Sequence, residues 1–348
     1  MITLKRRSFS LGTAVISQPQ KSDSLDNWHS GKPVLLKEAL FDELKHHQHS
    51  IEQTEQLIGA ILNNQECDAH LANPPYFERL EPKFVSLGST YNEGDEQEIE
   101  TIVFDAMDGD NIIAEDLWLK VSWLSFDNND ASLRFRFSFG IDHAEDVAAD
   151  PARQQLAAEL SDAVFPESSI ITNNKTLNAQ LNTILDGKAA SFVERIVYFN
   201  APNGGAYLHH DLERGHAGVV FAQLSGSTFW LALPKQTLVE EIIAFSKSQP
   251  WPESLTLEMR KEMSDLLLDR QYLSEQLSSF SNSSLIHLIN ETAEFVQFLI
   301  ARGHSRHLVA GDVLLLPQTN ADSCCWHSVF CSSADIGQAL SFAIRPEC

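Results

Sequence analysis

The sequence predicts a mainly β chain with flanking helices (α+β), in which a sandwich or barrel of short strands is interrupted by one long helical insertion. Three observations predict it. From Phe192 to Pro234 short apolar runs succeed one another with Asn-Gly-Gly and Ser-Gly turns between them, the pattern of consecutive strands. From about Lys235 to Ala301 the apolar residues fall instead at three- and four-residue spacing. Strand-like runs then return in HLVAGDVLLLP, WHSVF and QALSFAI and close the chain.

Taking the elements in order, LKEALFDELKHHQHSIEQTEQLIGAIL places Leu40, Leu44, Ile51, Leu57 and Ile61 on one helical stripe, with His46, His47 and His49 read as a solvated helix end. The acidic stretch NEGDEQEIE, Asn92 to Glu100, reads as a solvated linker or hairpin tip. A soft boundary there separates a mixed or helical N-terminal region, 1–100, from a barrel domain, 101–348, whose helical insertion spans about 235–305. LWLKVSWLSF and SLRFRFSFG alternate in polarity around the turn DNNDA and predict a β-hairpin with Phe135, Phe137 and Phe139 on one buried face. Asp150 as N-cap and Pro151 at the first position start a helix running to about Val164. A second runs from about Lys175 to Gly187 with Leu177, Leu181 and Ile184 on one face.

Composition bounds the function. With 348 residues and 43% hydrophobic content the chain can bury a substantial core. Its 48 acidic against 25 basic side chains give a formal net charge of -23, a mean field that repels phosphate backbones and anionic membrane surfaces. Neither nucleic acid nor a membrane is therefore expected as a partner. Lys5, Arg6 and Arg7 open KRRSFSLGTAVIS, which resembles a twin-arginine export signal, but its apolar part ends at Ile16 and no later run approaches a membrane span. A cytoplasmic location is expected. Cys67, Cys324, Cys325, Cys331 and Cys348 lack the even spacing of a disulfide framework and read as free thiols. Three of them surround His327 in SCCWHSVFC, so a zinc–thiolate site is a competing reading there, against which stands the absence of any CxxC pair.

The stretch AYLHHDLERGH, Ala206 to His216, sets two histidines and an aspartate side by side. On a strand, His209 and Asp211 face one way and His210 the other, so an imidazole and a carboxylate converge. The third ligand must come from elsewhere, and His327 beyond the insertion is the candidate. Two histidines and one carboxylate form the facial triad that leaves positions of an octahedral iron(II) open for substrate and dioxygen. Spacing alone is a weak signal for it. Trp326, next to His327, alternates to the opposite face and reads as core, His216 reads as exposed, and the loop QTNADSCC reads as a lid over the metal.

The run VYFNAPNGGAYLHHDLERGHAGVVFAQLSGSTFWLALP, followed after the insertion by LVAGDVLLLP and WHSV, resembles the JmjC and cupin-like family of double-stranded β-helix oxygenases. The family's HxD corresponds to His209 and Asp211, its QxxG turn to Gln223 and Gly226, and its aromatic strand ending in proline to Trp230 and Pro234. Its GDxLxxP corresponds to Gly311, Asp312, Leu314 and Pro317, and its distal histidine to His327. The resemblance covers roughly Phe192 to Arg345. It implies a double-stranded β-helix (jelly-roll) core with the helical insertion between the two halves of the metal site, and a mononuclear non-haem oxygenase using iron(II), dioxygen and 2-oxoglutarate. The implied substrate is a small molecule or amino-acid or peptide-like compound.

The chain departs from the family where 2-oxoglutarate would be held. The usual lysine two residues after the glycine of the QxxG turn is Thr228, and Ala206 stands where a hydroxyl residue is common. Arg345, with Ser341 nearby, is the candidate replacement, as in other 2-oxoglutarate oxygenases that use an arginine on the strand after the distal histidine. Tyr198 and Tyr207 are candidates for contact with a cosubstrate, against a packing role. The missing lysine keeps open an oxygenase that works without 2-oxoglutarate, and a non-catalytic metal-binding module remains the reading from another class. The N-terminal half is expected to build a substrate pocket or a homodimer surface.

Overall fold

The computed structural model describes residues 1–6, 9–16, 20–81, 83–91, 98–124, 132–140, 150–212, 216–248 and 250–347. The sequence expectations for 92–97, the hairpin turn 127–131, the loop 213–215, Arg7 and Cys348 lie outside the described residues. The chain begins with strands β1 (Ile2–Arg6), β2 (Phe9–Ala14) and β3 (Val34–Leu36), then helices α1 (Phe41–Leu62), α2 (Cys67–Leu71) and α3 (Tyr76–Leu80). Next come β4 (Phe84–Thr90), β5 (Glu98–Asp108), β6 (Asn111–Trp123) and β7 (Leu133–Phe139), followed by α4 (Pro151–Val164), α5 (Ser169–Asn173) and α6 (Lys175–Ile184). Four short strands follow: β8 (Ala190–Asn200), β9 (Gly205–His209), β10 (Gly218–Gln223) and β11 (Ser227–Pro234). The insertion holds α7 (Lys235–Ser248), α8 (Leu257–Leu266), α9 (Arg270–Ser279), α10 (Ser283–Glu291) and α11 (Ala293–Ala301). The chain closes with β12 (Ser305–Val309), β13 (Val313–Pro317), β14 (Cys325–Cys331) and β15 (Gly337–Pro346).

The chain is mixed α/β with large antiparallel sheets. A nine-stranded sheet has the order β3-β13-β10-β15-β8-β7-β6-β5-β4 and a four-stranded sheet the order β12-β11-β14-β9, while β1 and β2 pair separately. Alternation along the strands divides the core into three layers. Val219, Phe221, Trp230, Ala232, Leu308, Leu314, Cys325 and Ala339, from both sheets, form one interior cluster between them. The other face of the large sheet packs Phe135, Phe137, Phe139, Leu340 and Phe342 against Leu57 of α1, Leu160 of α4 and Leu181 of α6. The other face of the small sheet packs Leu231, Trp326 and Phe330 against Leu238, Phe245, Leu288 and Phe295 of the insertion.

Local chemistry explains the element ends that frame the site. Asp150 accepts a hydrogen bond from the Arg153 amide at 3.0 Å, with Pro151 at the first turn of α4, so the cap expected from sequence is formed. Gly226, in the turn from β10 to β11, has φ +68°, and a Cβ there would lie 2.8 Å from Gly337 Cα. The Gln223 side-chain amide closes that turn by donating to Ser225 O at 2.6 Å. Asp312, fully buried between β12 and β13, accepts from the Val309 and Glu38 amides at 2.9 Å each and pairs with Lys37, so the GD of GDVLLLP ties the β12–β13 turn to the N-terminal region.

One expectation is corrected here. Glu98 and Glu100, at the end of the acidic stretch read as solvated, lie in β5 with almost no exposure. Glu98 pairs with Lys120 at 3.2 Å, and Glu100 accepts from the Cys67 and Asp68 amides at the start of α2 at 2.6 and 3.1 Å. The capping of a helix start is what sequestered that carboxylate. Among the described residues, no helix is long and apolar enough to cross a membrane.

Candidate metal centre

His209 is the last residue of β9, and its Cα partner in register on β14 is His327. Their ring centroids are 4.3 Å apart. Asp211 completes the group: its Oδ1 is 3.5 Å from His209 Nε2 and its Oδ2 is 3.3 Å from His327 Nε2. One ligand atom from each of the three residues lies within 4.8 Å of the others, and among the described residues no other group of three metal-binding side chains is found. The sequence brought these residues together by strand alternation, but β9 stops at His209 and Asp211 lies beyond it. The alternation persists in the side chains: His210 turns to the other face, where its ring meets Trp326 edge-on at 5.1 Å. Trp326 is fully buried against the insertion, stacked on Phe280 at 5.2 Å, as core on the opposite face from His327.

Each histidine is oriented by a carbonyl two residues before it. His209 Nδ1 is 2.6 Å from Tyr207 O and His327 Nδ1 is 3.3 Å from Cys325 O. A carbonyl only accepts, so both Nδ1 atoms carry the proton and both Nε2 lone pairs are left for a metal. Cys325 O is itself fixed by the Gln318 side chain, which donates to it at 2.9 Å. The loop read as a lid thus has a base that supports a ligand histidine, and Asn320 Oδ1 holds its tip by accepting from the Asp322 and Ser323 amides at 3.0 Å each. The Trp230 ring lies 5.7 Å from that of His327 on the interior side.

The electrostatics suit a cation. Burial opposes ionisation of Asp211, yet the neighbouring His327 and His209 outweigh it and hold the carboxyl well below the usual carboxylate range. Burial, followed by the neighbouring His209, pushes His327 down to about 4, so it is neutral near pH 7. His327 is buried at 5% exposure, whereas His209 and Asp211 are 37% and 36% exposed, which leaves one side of the group open. Two imidazole nitrogens and one carboxylate fit the donor set of a non-haem iron(II).

The competing thiolate arrangement does not form. Cys324 packs in the cluster under the insertion and Cys325 in the interior between the sheets, and their thiols lie nearest the carbonyls of Ala321 and Trp326. Burial pushes the Cys325 thiol far up, away from the thiolate a zinc site requires.

The other candidate residues are placed as follows. Tyr198 lies on β8 and packs against the interior cluster; burial, then Arg134 and Asp211 acting in opposite directions, leaves its hydroxyl pushed up to about 12. Ser341 and Arg345 share with Ala339 the interior side of β15, opposite Ile196 and Ser191 of β8. Thr228 is fully buried; its hydroxyl donates to Gln223 Oε1 at 2.7 Å and accepts from Trp230 Nε1 at 2.8 Å. A closed neutral chain therefore occupies the position where the family places a lysine. Tyr207 directs its hydroxyl to Glu291 of α10 at 3.5 Å. His216, expected to be exposed, is instead buried at 4%, two residues before the start of β10. Sequence reasoning missed Asn290 of α10, whose Oδ1 accepts from the Leu208 amide at 2.7 Å and so fixes β9 next to His209. An asparagine in a helical insertion carries no signal for that role.

No family model matches the chain, and no curated protein matches it. Among solved structures, the chain is similar to E. coli YcfD at 11% identity, covering 94% of this chain and 54% of that one with a TM-score of 0.30. It is also similar to YcfD, a ribosomal oxygenase from Escherichia coli, in complex with cobalt and succinic acid, at 11% identity over 79% of this chain and 44% of that one, with a TM-score of 0.25. The chain thus spans about half the length of the solved structures it matches. A likeness of this extent assigns neither a residue nor an activity.

Proposed function

We propose that this chain is a mononuclear non-haem iron(II) oxygenase built on a double-stranded β-helix, using 2-oxoglutarate to oxidise a small molecule or an amino-acid or peptide-like substrate. The observation that carries the reading is the convergence of His209, Asp211 and His327, with both Nε2 atoms turned to one carboxylate. Strand order supports the fold assignment. From β8 to β15 successive strands alternate between the large and small sheets, except at β11 to β12, where the helical insertion lies.

His209, Asp211 and His327 would hold the metal, which when bound supplies a Lewis acid with open positions for dioxygen and an organic chelate. The rest is the work of the chain. Tyr207 O and Cys325 O keep the ligand protons on Nδ1, Trp230 closes the interior side of His327, and the half-exposed edge at His209 and Asp211 admits substrate. Arg345 and Ser341, on the interior side of β15, are the residues we assign to the distal carboxylate of 2-oxoglutarate.

One observation favours a second reading. The Gln223–Thr228–Trp230 chain presents no charge, so the same iron site working without 2-oxoglutarate, with the organic substrate as chelate, is the alternative. An anaerobic visible spectrum of the iron(II)-loaded protein separates the two. A charge-transfer band on adding 2-oxoglutarate supports the first reading; iron bound without a band supports the second.

A further inference from the structure

The small sheet ends at β9, while the large sheet continues past β8 through β7, β6, β5 and β4. The side of that extension that continues from Tyr198 and Ile196 of β8 carries the alternate residues to the buried Leu117, Leu119, Phe135 and Phe137, namely Trp118, Lys120 and Ser122 of β6 and Arg134 and Arg136 of β7. These residues make a shelf of basic and aromatic side chains on that side, in a chain of net charge -23. Most of these charges are matched. Arg136 pairs with Glu194 at 2.7 Å and lies over the Trp118 ring at 5.3 Å, and Lys120 pairs with Glu98 at 3.2 Å.

Arg134 differs. It makes one hydrogen bond, from Nε to the Ser122 hydroxyl at 3.2 Å, and no ion pair with any described carboxylate. It is half-buried, and its register partner on β8 is Tyr198. Tyr198 in turn packs against the interior cluster that holds Trp230, whose ring lies 5.7 Å from that of His327, so Arg134 lies on the side of β7 that continues toward the metal centre. An arginine without an ion pair among the described residues, in a chain with nearly two acidic residues for each basic one, presents a planar donor fork suited to an incoming carboxylate.

We infer that Arg134 anchors an anionic group, a carboxylate, of the primary substrate bound over the shelf at the metal centre. The inference rests on the oxygenase reading for the chemistry that follows binding, but not for the binding itself. The position on β7, outside the strands that pair across the barrel, assigns the anchor to the substrate and not to 2-oxoglutarate.

The test titrates the full chain with benzoate and with its neutral isostere benzamide, following chemical shifts, in the parent, Arg134→Gln and Arg134→Lys. Thermal unfolding checks that each variant folds; among the described residues Arg134 has no ion pair, so its loss strands no described carboxylate. The parent should prefer benzoate by about tenfold or more, Arg134→Gln should lose the preference, and Arg134→Lys should recover part of it. The response of the iron(II) protein to 2-oxoglutarate should be the same in all three. An unchanged benzoate preference in Arg134→Gln overturns the inference, as does loss of the 2-oxoglutarate response in that variant, which would assign the arginine to the cosubstrate. The benzoate comparison reads with or without metal, so failure of the iron reading shows separately, as absence of bound metal.

Discussion

His209 and His327 face each other across the β9–β14 pair with ring centroids 4.3 Å apart, each giving its Nδ1 proton to the carbonyl two residues earlier. Both Nε2 atoms then converge on Asp211, and a divalent ion is the species that satisfies all three at once. Binding to the folded chain alone stabilises it by mass action, about 2.7 kcal/mol at a hundredfold excess over Kd. Cobalt(II) or anaerobic iron(II) should therefore raise the thermal midpoint of the parent and leave that of Asp211→Ala unchanged. Differential scanning fluorimetry reads both.

Thr228 links Gln223 to Trp230 through a fully buried hydroxyl. Thr228→Val keeps the shape but leaves the Gln223 carbonyl and the indole N–H without partners, at a cost of about 1–3 kcal/mol for each buried group left unsatisfied. Urea unfolding of parent and variant measures it, and equal stability would mean that the chain contributes nothing.

Asn290 reaches from the insertion to the Leu208 amide at 2.7 Å. Asn290→Ala frees the edge strand that carries His209, and loss of such support around a metal ligand weakens metal affinity about 10–100-fold. A competition titration with a chelating dye should show this loss while the large sheet keeps its circular dichroism.

Asp150 caps α4. Its hydrogen bond from the Arg153 amide, then that from the Arg153 side chain, lowers its pKa in the folded chain below the ordinary value of 3.8. The unfolded chain therefore takes up the proton first, so the stabilisation is complete above that value and is lost as the pH falls through the folded pKa. Asp150→Ala should cost about 1 kcal/mol at pH 7, with the difference from the parent shrinking below pH 4. A pH series of denaturant midpoints checks the sign.

Much of this fold was legible because its signals are local. The Asp150–Pro151 start of α4, the Phe135, Phe137 and Phe139 face and the change of period at Lys235 each depend on neighbours in sequence, and each appears where expected. The pairing of His209 with His327 was legible only as a convergence of motifs, since 118 positions separate them, the difference of their residue numbers. What could not be read were long-range hydrogen bonds. Burial of Glu100 by the start of α2, support of β9 by Asn290, and the pairing of Arg134 with the Ser122 hydroxyl depend on which elements meet. The periodicity of a strand places Arg134 on a face but says nothing of what lies opposite.

In the proposed site His209, Asp211 and His327 hold one iron(II). Its most direct test is the iron content of anaerobically reconstituted parent, Asp211→Ala and His327→Ala after removal of excess metal, with circular dichroism confirming the fold. The account predicts about one iron per parent chain and almost none in either variant. Iron retained by both folded variants at the parent's level would contradict it.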